Sequence, residues 1–96
     1  MGLDELRQAV ERLHGCSASH AGSAPVEEVF AGQTVWQGQV EIFDISGHPK
    51  AKRCYAWEHE TDSGGTKYQA VLEIPPVESP ETAVRAAIVA GHRRGE

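Results

Sequence analysis

The sequence is short of cysteine, of basic charge and of long apolar runs, and each shortage excludes a class of protein. Two cysteines, Cys16 and Cys54, do not make the disulfide framework of a small secreted domain. Nine Lys and Arg against 14 Asp and Glu give a net charge of −5, which argues against a general polyanion binder. No apolar run could cross a bilayer, and residues 1–15 lack the features of a signal peptide. We therefore expect a cytoplasmic protein with reduced thiols.

Large apolar side chains are scarce as well. Leu, Ile, Val and Phe together number 19 of 96 residues, and 12 alanines make up much of the remaining apolar content. Alanine buries little area, so the core of such a chain is lean. The length allows one domain, residues 1–96, and small domains with lean cores often gain stability from a partner subunit.

Two helices are predicted, one near each end of the chain. Apolar residues recur at helical spacing over 3–14, and Gly15 is a plausible stop for that helix. Ser79, Pro80 and Glu81 have the order typical of a helix start, which predicts a helix over 80–92. The inner stripe of that second helix is predicted to be Val84, Ala87, Ile88 and Gly91.

Between the helices the apolar period changes to two. Strands are predicted near 34–45, 51–60 and 67–74, joined by short turns and therefore antiparallel. Residues 15–25 are small and polar and are predicted to form a loop or a crossing over the core, whereas 26–30 fits a short strand or a helical turn equally well. The expected fold is α+β: a helix, an antiparallel sheet of three or four strands, and a helix, in two layers.

The middle strand is the most distinctive segment, because it is basic and aromatic in an acidic chain. Arg53, Tyr55, Trp57 and His59 share one parity, and the small residues Cys54 and Ala56 take the other. If both helices cover the small residues, the aromatic side chains are exposed and form an interface or a ligand platform. In the alternative, the aromatic side chains face the helices and the small residues face outward.

The start of this strand is basic, with three of the nine Lys and Arg within the four positions 50–53. Such a cluster can hold phosphate, a carboxylate or an acidic partner, or it can be a solvated hairpin end. The candidate binding or interface residues are His48, Lys50, Lys52, Arg53, Tyr55, Trp57 and His59.

Metal and nucleophile chemistry have little support in the sequence. His14, Cys16, His20 and Cys54 are of zinc-ligand type, but their spacing matches no standard zinc motif. We therefore expect no metal and no cofactor. A cysteine on a sheet beneath helices is expected to be buried and inert, so no catalytic residue is assigned.

Two resemblances can be drawn. The order helix, three strands, helix resembles the topology of the double-stranded RNA-binding domain, which implies an RNA-binding role. The Lys- and Arg-rich helix start of that family is missing here, however, because the last helix begins at Ser79-Pro80-Glu81 and its first basic residue is Arg85. The segment from Gly47 to Trp57, GHPKAKRCYAW, resembles segments of small uncharacterised bacterial proteins of the accessory-gene type and implies a bacterial source.

Three functional hypotheses follow. The first is a homodimeric binding or adaptor module that uses the sheet face or a pocket at the subunit boundary for a small molecule or a protein partner. The second is nucleic-acid binding through the basic, aromatic strand 50–59, which the negative charge disfavours. The third is a small-molecule enzyme with a site between sheet and helices, and the lack of a nucleophile motif favours a non-enzyme.

Overall fold

The computed structural model describes residues 3–60 and 64–93, without the side chains of Phe30, His59, Glu60 and 91–93. The elements follow in the order α1 (Leu3–His14), β1 (Ser17–Phe30), β2 (Gln33–Ser46), β3 (Arg53–Glu60), β4 (Thr66–Leu72) and α2 (Pro80–Arg93). The four strands form one antiparallel sheet in the order β1-β2-β3-β4. The predicted fold class, α+β, is confirmed. The predicted order along the chain, a helix, the antiparallel strands and a second helix, is also confirmed.

Local sequence explains where the helices begin and end. Asp4 and Glu5 lie in the first turn of α1, where acidic side chains favour the positive end of the helix dipole. Gly15 ends α1 in the left-handed region, with φ of 63° and its N–H donating to Glu11 O at 2.8 Å. Ser79 caps α2, because its Oγ accepts the Thr82 N–H at 3.3 Å.

The prediction of a loop over 15–25 is wrong. β1 is a strand of 14 residues that pairs with β2 along its whole length, from Ser17 opposite Ser46 to Phe30 opposite Gln33. It is an edge strand, where small and polar side chains and even Pro25 are tolerated because one edge faces solvent. Pairing with β2 therefore overrides a composition that is typical of a loop, and 26–30 is the end of the same strand.

The two helices lie on opposite faces of the sheet, which differs from the expected arrangement of both helices on one face. Leu6 and Val10 of α1 pack with Phe43, Cys54 and Ala56. On the other face, α2 contributes Ala83 and Val84 to a cluster of Val26, Val40, Tyr55, Trp57 and Val77. Successive side chains of a strand point to opposite faces, so both parities of β3 are buried, one beneath each helix.

The lean core is thus divided into two thin layers. Its largest fully buried side chains are Phe43, Val10, Val40, Val84 and Cys54. Each large apolar side chain contributes about 1.5–3 kcal/mol by leaving water. The small residues Cys54 and Ala56 lie beneath α1, while the larger Tyr55 and Trp57 lie beneath α2.

Candidate binding surface

The predicted site residues divide into two groups in the structure. Arg53, Tyr55 and Trp57 lie on β3 and share the face turned toward α2. His48, Lys50 and Lys52 lie on the turn between β2 and β3, and the side chain of His59 lies outside the described residues. Tyr55 and Trp57 are buried whereas Lys50 and Lys52 are exposed, so the turn and the two aromatic side chains of β3 do not form one surface.

His48 has a structural role in that turn. Its Nδ1 accepts the backbone N–H groups of Lys50 and Ala51, each at 3.1 Å. These two bonds require an unprotonated Nδ1, so the neutral ring carries its proton on Nε2. The half-buried imidazole closes the turn and has no free Nδ1 to act as a base.

Arg53 lies between two carboxylates rather than in a basic cluster. Its Nε donates to Asp44 Oδ1 at 3.3 Å, and this bond is the main cause that raises the pKa of Arg53, with Glu73 also contributing. Lys50 and Lys52 are exposed and make no ion pair within residues 3–60 and 64–93. The cations predicted to act together are therefore two free lysines and one neutralised arginine.

Tyr55 is buried beneath α2 with 2 % of its surface exposed. Its hydroxyl donates to the Glu73 carboxylate and lies 3.4 Å from Glu78 O. Burial, together with the neighbouring Glu73 carboxylate, raises the pKa of Tyr55 to about 12. The phenol is therefore a neutral donor that ties β3 to the segment leading into α2.

Trp57 is covered by its own chain, with 3 % of its surface exposed. It meets Trp36 edge to face, with ring centroids 5.7 Å apart at 63°, and it packs in the cluster that α2 covers. The condition for an interface or a ligand platform at Trp57, an exposed ring, is therefore not met. The shared parity of Trp36, Val40 and Ile42 in the sequence was the signal for this cluster.

The remaining nucleophilic and titratable side chains do not assemble a catalytic site in the described part of the chain. Burial raises the pKa of Cys54 to about 12, and burial followed by Glu11 raises that of Cys16, so both thiols are poor nucleophiles. His20 Nε2 lies 2.9 Å from Glu41 Oε1, and Ser23 Oγ donates to that same oxygen. A Ser–His–acid triad needs the histidine between serine and acid, whereas here the carboxylate lies between them.

An apolar groove lies on the outer side of α2 and was not anticipated from the sequence. Its volume is about 420 Å³, and it is lined by Pro76, Val77, Thr82, Arg85, Ala86, Val89 and Ala90. Val89 is 44 % exposed, and Arg85 donates to Glu28 on β1 at 2.9 Å, which fixes the guanidinium at the groove's rim. The available signal was that α2 carries Ala86, Val89 and Ala90 outside its predicted inner stripe, so it is apolar on both sides.

Comparisons with known proteins add no functional assignment: no family model, no curated protein and no solved structure matches the chain. Within the described residues, neither helix is long and apolar enough to cross a membrane. The same residues contain no group of three or more His, Cys, Asp or Glu side chains placed to hold a metal ion.

Proposed function

We propose that this chain is a homodimeric binding or adaptor module whose subunits meet through the outer face of α2. The observation that supports the proposal is the groove beside Val89, which places exposed apolar surface on a helix whose inner stripe is already packed against the sheet. Apolar surface of this kind, rimmed by polar side chains, is typical of interaction sites.

A second copy of the chain fits this face for steric reasons. Ala86 and Ala90 are one helical turn apart and exposed, so two α2 helices can approach closely. A two-fold axis through this face brings Val89 of each copy against the groove of the other, as an isologous contact requires. Thr82 and Arg85 then lie at the rim.

The area required is reasonable for a molecule of this size. A standard interface buries about 800 Å² per partner, or about an eighth of the 6230 Å² that this chain exposes. Burial there supplements a core that is divided into two thin layers. The groove itself then lies at the subunit boundary, where a small molecule or a segment of a partner protein binds.

The test is a comparison of Val89→Glu with Leu13→Glu. Both residues are exposed apolar side chains near the end of a helix, 44 % and 56 % exposed, so the two changes remove similar surface and add the same charge. Sedimentation velocity should give a wild-type dimer, a monomeric but folded Val89→Glu variant and a dimeric Leu13→Glu variant. A wild type that stays monomeric at its highest soluble concentration, or a Val89→Glu dimer, contradicts the proposal.

A further inference from the structure

The sheet opens into a fork between its two hairpins. Within the described residues, β2 pairs with β3 only from Glu41 opposite Ala56 to Asp44 opposite Arg53. Beyond that point, Gln33–Val40 of β2 pairs only with β1, and Trp57–Glu60 of β3 pairs only with β4. We call the gap between these two segments the fork.

The backbone groups that face the fork can be identified from the register. Pro25 lies opposite Gln39 and has no N–H, so this pair is of the non-hydrogen-bonded kind, in which the N–H and C=O groups point away from the partner strand. The backbone of Gln39 therefore points away from β1 and into the fork. A second observation agrees, since Ile45, of the same parity, donates its N–H toward β3, to Lys52 O at 2.9 Å.

Successive residues of a strand direct their N–H and C=O groups alternately to the two sides, which indicates where the neighbouring backbone groups point. Gln37 shares the parity of Gln39, so its N–H and C=O groups also face the fork, whereas those of Trp36 and Gly38 are directed at β1. The alternation ends at the register shift of β2 beyond Trp36. On the opposite side, Glu73 donates its N–H to Arg53 O, so the alternate β3 residues, including Glu58, direct their backbone groups toward β2. Both sides of the fork thus present backbone donors and acceptors that join no strand ladder.

The two faces of the fork differ in character. On the α2 side the edge-to-face pair of Trp36 and Trp57 spans it and forms an apolar floor. On the other side the register places Glu27, Glu41 and Glu58 on one face. Glu27 and Glu41 accept hydrogen bonds from Thr34, His20 and Ser23. This open side is therefore acidic.

We propose that the fork binds an extended, basic segment of a partner protein, which adds as a strand to β2 over residues 37–39. An extended backbone is the complement of donors and acceptors repeated at every second residue of a strand. Cationic side chains on the segment face the three carboxylates on the open side, which supplies the charge complementarity. The site is separate from the α2 groove, so it holds whether or not the chain dimerises.

Amide hydrogen exchange tests the open edge without any ligand. In the free protein the amides of Gln37 and Gln39 should exchange roughly tenfold or more faster than those of Trp36 and Gly38. Equal protection of the two sets would show that the edge is closed and would overturn the proposal.

The binding test uses a capped peptide of about ten alternating valine and lysine residues as the probe. Its control is the same peptide N-methylated at every peptide bond, which keeps the side chains and charges but removes all backbone donors. Both tryptophans of the chain lie at the fork, so their fluorescence reports binding there. The probe should change the tryptophan emission and protect the amides of Gln37 and Gln39, and the control should bind at least roughly tenfold more weakly.

Variants of the protein complete the experiment. Gln39→Pro removes a donor that faces the fork while leaving the ladder to β1 intact, and it should weaken the probe roughly tenfold. Glu58→Gln should weaken it several-fold, whereas Glu81→Gln, an exposed carboxylate on α2, should have no effect. Equal binding of the N-methylated peptide, loss of binding in Val89→Glu, or no binding of the probe would overturn the proposal.

Discussion

The Tyr55 hydroxyl and the Glu73 carboxylate form a hydrogen bond beneath the segment that leads into α2. Glu73 also donates its backbone N–H to Arg53 O at 2.9 Å, so it lies beside β3 through both its backbone and its side chain. Asp44 completes a row across the sheet in which Arg53 lies between two acids. These contacts of Arg53 and Tyr55 attach the segment between β4 and α2 to the end of the sheet where β3 begins.

Replacing Tyr55 with phenylalanine should therefore destabilise the fold. The change keeps the buried ring but removes a hydrogen bond to a charged acceptor, which should lower the free energy of unfolding by about 1.5 kcal/mol. Tyr68→Phe is the matched control, since its hydroxyl donates to Glu5 at 3.2 Å in an exposed pair and should matter less. Urea unfolding followed by circular dichroism measures both, and equal losses would contradict a special role for Tyr55.

Alkaline pH should destabilise the protein, because the pKa values of Cys54 and Tyr55 are both raised to about 12. The folded state holds these groups protonated, so their contribution to stability is complete below the ordinary values, 9.0 and 10.0. That contribution is lost as the pH rises from those values to about 12. Unfolding in urea at stepped pH measures the decline.

The Tyr55→Phe variant serves as the control for this pH dependence. It lacks the titrating phenol, so its stability should fall less steeply than that of the wild type above the ordinary tyrosine pKa of 10.0. Identical slopes for the two proteins would show that Tyr55 titrates no differently in the folded and unfolded states.

Gly38 provides the space on which the Trp36 ring lies. A Cβ at Gly38 would be 3.0 Å from the Cη2 atom of Trp36, so Gly38→Val should displace the ring from its contact with Trp57. We expect a loss of about 1 kcal/mol and a change in the near-ultraviolet circular dichroism of tryptophan. Gly22→Val is the control, because a Cβ there meets nothing within 4 Å. A Gly38→Val spectrum that matches the control would contradict this account.

The ion pair between Arg85 and Glu28 should be worth little. Its distances are 2.9 and 3.5 Å, but the Arg85 side chain is 62 % exposed, and solvent screens the attraction. A double-mutant cycle of Arg85→Ala and Glu28→Gln should give a coupling free energy below about 1 kcal/mol that falls with added salt. A larger, salt-independent coupling would indicate that this contact fixes α2 on the sheet.

Much of this fold is determined by local sequence. Helical spacing from Leu3 to Leu13 predicted α1, and Ser79 with Pro80 predicted the start of α2. Alternation predicted β2, β3 and β4 to within about two residues, as expected when a strand has apolar residues at every second position. The parity that groups Arg53, Tyr55 and Trp57 on one face was also present in the sequence.

Other features were decided only by tertiary structure. β1 has the composition of a loop and becomes a strand because β2 offers an open edge for it to pair with. The sequence of β3 does not indicate which helix covers which of its two faces. The structure buries the side chains on both faces, because α1 and α2 pack on opposite sides of the sheet. The burial of Trp57, the neutralisation of Arg53 by Asp44 and the fork beside Gln39 depend on which strands and helices meet. Those contacts form between residues distant in sequence, so no local pattern specifies them.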